Sequence, residues 1–127
     1  MTYQKNIVVP VSPMGKPRMT QRDKWKQRPC VMRYRAIKDE ITLLVGRAIP
    51  EDVESLSWVA YFPMPKSWSK KKKDEHRGRF HRSKPDRDNV DKAILDALFK
   101  EDCRIASGTL EKRWDDGNGP RIKLYWS

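Results

Sequence analysis

The period of the apolar positions changes along the chain, and each change marks an element. Ile7-Val8-Val9-Pro10-Val11 is short and β-branched and predicts a strand, with Pro10 at its end or at a sheet edge because proline cannot donate to an inner ladder. Between Met32 and Ala48, the residues Tyr34, Ile37, Ile41, Leu44, Val45 and Ala48 recur at intervals of three and four. That spacing gives a helix one apolar face, and Ile49-Pro50 is its expected stop. The period then drops to two: Leu56, Trp58, Ala60 and Phe62 share one parity between Val53 and Pro63, which predicts a strand buried on at least one face. Helical spacing returns with Val90, Ala93, Ile94, Ala97 and Leu98, in a helix expected to run from about Asp88 to about Lys100. Cys103 to Leu110 reads as a strand with a bulge at Gly108, Trp114 to Pro120 as dense turn chemistry, and Arg121 to Trp126 as a final alternating strand. The expected fold is α/β or α+β: one small domain over residues 1–127, with a mixed four-stranded sheet packed by two main helices.

Charge adds what periodicity leaves out. Lys and Arg number 28 against 17 Asp and Glu, a net +11, while 37% apolar content and five Trp argue for a folded chain. A folded protein with clustered positive charge most often meets a polyanion, and nucleic acid is the leading partner. One cluster follows the first strand, in the Pro/Gly-rich loop Ser12 to Thr20 and the residues after it: Lys16, Arg18, Arg22, Lys24, Lys26 and Arg28, with Trp25 available to pack or stack. The second is Pro65 to Lys84, expected as a loop or short helix, which carries Lys66, Lys70, Lys71, Lys72, Lys73, Arg77, Arg79, Arg82 and Lys84. A charge run is usually a solvated face. Nine basic side chains delivered directly before a group of acids read better as contacts to a phosphodiester backbone. No apolar run reaches the length of a membrane span, and the N-terminus lacks a signal-peptide pattern. Cys30 and Cys103 are far apart and read as thiols in a reducing, cytoplasmic setting. Together with His76 and His81 they show none of the spacings of a zinc site.

The acids concentrate where the second cluster ends. Pro85 holds Lys84 extended, so the chain is expected to reach Asp86 stretched and to turn into a helix around Asp88. Asp88, Lys92 and Asp96 then follow at i, i+4 and i+8 on the polar side of that helix. Taken alone, Asp88 would be an N-cap in an ordinary i,i+4 pair with Lys92. The second carboxylate at Asp86, the basic segment feeding it and the acidic pair Glu101-Asp102 at the helix end favour a site for a hard cation such as Mg²⁺. Asp115-Asp116, in front of Gly-Asn-Gly-Pro, is better explained as turn-forming.

The run Lys84-Pro85-Asp86-Arg87-Asp88-Asn89-Val90-Asp91-Lys92, continuing to Asp96-Ala97-Leu98, resembles the signature of the RusA family of Holliday junction resolvases, small endonucleases of bacteriophages and prophages. Gly15-Lys16-Pro17-Arg18 is similar to that family's loop after its first strand, and Pro65 to Lys72 to its basic segment, so the resemblance covers most of the chain. It implies a RusA-like fold and a homodimeric, Mg²⁺-dependent endodeoxyribonuclease, with Mn²⁺ as a substitute ion, that resolves four-way junctions by paired cuts in DNA recombination and repair. Carried over residue by residue, it makes Asp86, Asp88 and Asp102 the metal-binding catalytic carboxylates and Lys92 the catalytic lysine. Here only Phe99-Lys100 separates Asp-Ala-Leu from Glu101-Asp102, a shorter connection than many members have, which keeps Glu101 as the alternative third acid. Lys16, Arg18, Lys70 to Lys73, Arg79, Arg82 and Lys84 are the candidate DNA contacts. Asn89 and Asp96 are candidates to orient the ligands, Asp96 with the alternative of pairing to Lys92 or Lys100. The rival readings are a non-catalytic basic nucleic-acid-binding protein, and a nuclease of this fold acting on other branched DNA.

Overall fold

In the computed structural model, residues 5–18, 28–99 and 105–127 are described. The elements follow the order β1 (Lys5–Val9), α1 (Pro29–Val45), β2 (Leu56–Phe62), α2 (Lys70–His76), α3 (Arg87–Leu98), β3 (Leu110–Trp114) and β4 (Arg121–Trp126). The strands form one mixed sheet in the order β1-β4-β2-β3. β4 is antiparallel to both β1 and β2, and β2 and β3 run parallel. The chain is an α+β fold.

Register explains the two-layer packing. Leu56, Trp58 and Ala60 lie opposite Trp126, Leu124 and Ile122, and Ile7 and Val9 continue those rows across β1. Side chains alternate faces along a strand, so these residues share the face that α1 and α3 cover. The core there joins Val9, Ile41 and Val45 to Trp58, Leu124, Val90 and Ile94. Trp58 is 0% exposed and Trp126 is 6% exposed. Both tryptophans are therefore interior to the protein. On the opposite face Arg121 lies 3.9 Å over the Tyr61 ring and forms a two-pronged ion pair with Asp116, both prongs at 3.0 Å. That pair holds the Asp116 carboxyl well below the usual carboxylate range. Asp115 accepts amide hydrogen bonds from Gly117 and Gly119, the turn-forming role expected for this acid pair.

Two elements depart from expectation, and the basic segment takes one of its two expected forms. α1 ends at Val45 rather than Ala48, because Gly46 takes φ +55°, a conformation that glycine reaches at little cost. The basic segment forms a helix, α2, with Ser69 as its N-cap accepting from the Lys72 amide. The third strand is Leu110–Trp114; of the strand expected from Cys103 to Leu110, the described residues 105–109 contribute only a bridge from Ser107 to Ser55. A side chain at Gly108 would lie 1.8 Å from the Leu56 carbonyl oxygen, so glycine is required there by the approach of the two backbones. No helix among the described residues is long and apolar enough to cross a membrane.

Candidate active site

The site grows out of the start of α3. Residues 79–81 lie antiparallel beside β3, through His81 N–H to the Lys112 carbonyl (2.9 Å) and Trp114 N–H to the Arg79 carbonyl (2.8 Å). The chain then crosses a cis Lys84–Pro85 peptide and enters α3 with Asp86 in the N-cap position. The Asp86 side chain makes no capping hydrogen bond, and Asp88 stands inside the first turn, so neither serves the role that the ordinary reading assigned to Asp88. Both are exposed. Carboxylates near a helix N-terminus are favoured by its partial positive charge. Lys92 is exposed one turn beyond Asp88 and, among the described residues, forms no ion pair.

The first basic loop lies against this turn. A side chain at Gly15 would sit 2.4 Å from the Asn89 amide nitrogen and 2.8 Å from Pro85, so only glycine lets the loop approach this closely. Lys16 N–H points to the Asn89 carbonyl at 3.4 Å. Asp96 does not pair with Lys92: its carboxylate accepts the Tyr34 hydroxyl and lies 3.3 Å from Lys38 and 3.8 Å from Lys16. Burial pushes the Asp96 carboxyl up, but the Tyr34 and Lys38 hydrogen bonds and the nearby Lys16 outweigh it and hold it below its usual range. Burial, then the Asp96 contact, raises the Tyr34 phenol well above its ordinary value. Asp96 therefore ties α1, α3 and the Gly15-Lys16 loop together, eight residues or about 12 Å along the helix from Asp88.

The chain matches the sequence model described as endodeoxyribonuclease RusA over residues 10–125. It belongs to the RusA endodeoxyribonuclease family. None of the curated proteins compared with it matches its sequence. The matched span contains every candidate site residue, including Asp102 and Glu101, which with Arg22, Lys24, Trp25, Lys26, Lys100 and Cys103 lie outside the described residues.

Among the described residues of this RusA-family chain, no three His, Cys, Asp or Glu side chains converge on one cation position. Asp86 and Asp88 supply two, both oxygen donors of the kind a hard divalent ion takes, and among the described residues neither is committed to an ion pair or a cap. That donor set fits Mg²⁺. The histidines do not extend it. His81 is buried between Phe62 (ring centroids 4.4 Å apart) and Trp114 (4.2 Å), and burial, then Lys112, holds its imidazole below the usual value. His76 packs on Trp68. Lys70, Lys71 and Lys72 are exposed on α2, whose His76 packs on Trp68 just before the helix, and Trp68 in turn meets Trp114, two residues along β3 from Lys112.

Two residues of the site escaped the sequence reading. Lys112 donates to the Ser83 carbonyl (2.6 Å) and to the Pro85 carbonyl (2.5 Å), clamping the turn that carries Asp86. Burial lowers its ammonium pKa and the nearby Asp86 offsets part of that. Asp91, one turn from Asp88 on the sheet side, accepts the Trp58 indole N–H at 2.8 Å. The only local signal for either was an acid or a base on a half-buried parity, visible once the strand limits are known. Lys112→Met should lower cleavage by about 10- to 100-fold, the range for groups that orient ligands, with Lys112→Arg recovering part of it. Initial rates against Mg²⁺ concentration check this; unchanged rates in both variants would show that the clamp is dispensable.

Proposed function

We propose that this protein is a Mg²⁺-dependent resolvase that cuts four-way DNA junctions on paired strands as a symmetric homodimer, in recombination and repair. The observation that carries the reading is the pair Asp86 and Asp88 at the start of α3, uncommitted to capping or ion pairing among the described residues and followed one turn on by the exposed Lys92. Asp86, Asp88 and Asp102 would hold the ion. When bound, a divalent ion polarises a phosphoryl oxygen and lowers the pKa of a water on it.

The remaining work falls to the protein's own groups. Lys92, one turn along from Asp88, places an ammonium where negative charge grows on the phosphate as the ester bond breaks. Lys112 holds the Asp86 turn in place, and Asn89 seats the Gly15-Lys16 loop on the helix. Lys84, Arg79, Arg82 and the α2 lysines supply positive charge for the strands on either side. Lys16 is partly neutralised by Asp96, so it contributes less to phosphate binding than its sequence context implied. A four-way junction has approximate two-fold symmetry, and a closed dimer sets two identical sites at a fixed separation.

The test is cleavage of a synthetic four-way junction beside linear duplex, with Mg²⁺ and with chelator, together with sedimentation at micromolar concentration. Junction-selective paired cuts, lost on chelation, from a particle of about twice 15.0 kDa are expected. Binding without cleavage would leave the non-catalytic alternative, and equal cutting of flaps would leave a broader branched-DNA nuclease.

Replacing Lys70 to Lys73 with Ala should weaken binding to every DNA form and flatten the dependence of log affinity on log salt, by about 0.9 for each phosphate no longer neutralised. Lys72 also lies 4.4 Å over the Trp68 ring, so some loss of α2 order accompanies the change, which circular dichroism would register. A salt slope equal to the parent's would show that α2 does not touch the backbone.

A further inference from the structure

Phe80 is 60% exposed although the segment that carries it is firmly held. It pairs with Arg113 in an antiparallel bridge, which puts both side chains on one face. The Arg113 guanidinium covers one side of the ring at 4.5 Å. Arg113 is itself fixed, donating to Glu111 (2.7 Å) and to the Gly78 carbonyl (2.8 Å). Around the ring opens a groove of about 640 Å³, a size that admits a small planar ligand, lined also by Arg77, Arg79 and Arg82. An exposed ring on an anchored backbone, backed by one guanidinium and ringed by others, is the chemistry that stacks a nucleobase while binding its phosphates. The polyanionic backbone of DNA complements these arginines in charge.

We propose that Phe80 is a stacking platform for a base whose face is exposed where the strands of a branched DNA part. The inference rests on the reading of the chain as a branched-DNA nuclease and adds to it a group that recognises the branch rather than the backbone. Phe80 lies six residues from Asp86, at most about 20 Å of extended chain, so a stacked base and the phosphate at Asp86 belong to one substrate within about six base steps. Phosphate contacts alone bind duplex and branched DNA through the same backbone charge. A stacking platform favours DNA whose bases are already unstacked, as at a branch or in a single strand.

The test uses full-length Asp88→Asn protein, so that binding is read without cleavage. Affinities are measured for a single strand, a four-way junction and a duplex, with 2-aminopurine placed at the branch as a stacking reporter. Phe80→Leu, which keeps the apolar bulk, should weaken single-strand and junction binding by about tenfold or more and abolish the 2-aminopurine quenching. Duplex affinity should stay within about twofold, as for other surface substitutions, and Phe80→Trp should retain the selectivity. Equal weakening on all three DNAs, or no change on any, overturns the proposal. So does a changed sedimentation mass without a DNA effect, which would assign the ring to a protein contact. Cleavage by the otherwise unaltered protein is scored separately: if it cuts no branched DNA while Phe80→Leu still loses base selectivity, the nuclease reading fails and the stacking site stands. Normal junction cutting with unaltered binding by Phe80→Leu is the reverse case.

Discussion

Asp88→Asn is expected to reduce strand cleavage by more than about 100-fold, beyond the range for groups that merely orient ligands, while DNA binding stays intact or tightens. Asn keeps the size of the side chain and the helix that carries it, so the fold is unaffected. It removes a charged oxygen donor from the proposed ion site, and at the same time a negative charge facing phosphates, and these act in opposite directions on catalysis and binding. The structure makes the substitution informative because Asp88 has no other employment among the described residues: it caps nothing and pairs with no cation. Single-turnover cleavage beside equilibrium binding to the same junction checks both halves. A variant that cuts at the parent's rate would remove Asp88 from the site, and with it the reading of α3 as the catalytic helix.

The largest effect on stability is expected from Trp58→Ala, at about 3–5 kcal/mol, the usual cost of emptying a buried aromatic site. Trp58 is 0% exposed, lies opposite Leu124 in the centre of the sheet, and sends its indole N–H to Asp91. Trp58→Phe helps to separate the contributions, since it keeps most of the apolar burial and removes the hydrogen bond with a small part of the ring volume. Because Asp91 is only half-buried, that loss should stay near the lower end of about 1–3 kcal/mol. Denaturant unfolding reads both, and an unchanged midpoint in Trp58→Ala would contradict the central position assigned to this residue.

Much of the fold was legible because burial on one side of an element repeats at the element's own period. The parity of Leu56, Trp58, Ala60 and Phe62 identified β2 and its inner face, and Val90, Ala93, Ile94 and Ala97 identified the core side of α3. β3 was misplaced for a related reason. Its sequence Leu-Glu-Lys-Arg-Trp carries three consecutive charges, which alone argue for a solvated turn. In the structure each has a partner: Glu111 and Arg113 pair with one another and Lys112 donates to two carbonyls. The end of α1 was missed by three residues because Gly46 stops it before the apolar pattern runs out.

The sequence by itself determined the local chemistry of this protein: two carboxylates and a lysine on one short helix, the basic runs before it, and the family to which they belong. Helical spacing and a chain entering extended are enough to put Asp86 at the N-cap of α3 and Asp88 and Lys92 in its first two turns. Tertiary structure alone decided what stands around them. Lys112 reaches Pro85 across 27 positions, Trp58 reaches Asp91 across 33, and Gly15 closes on Asn89 from the far end of the chain. Contacts at such separations depend on strand order and register, which arise from the packing of the whole core, and no local pattern of residues encodes them.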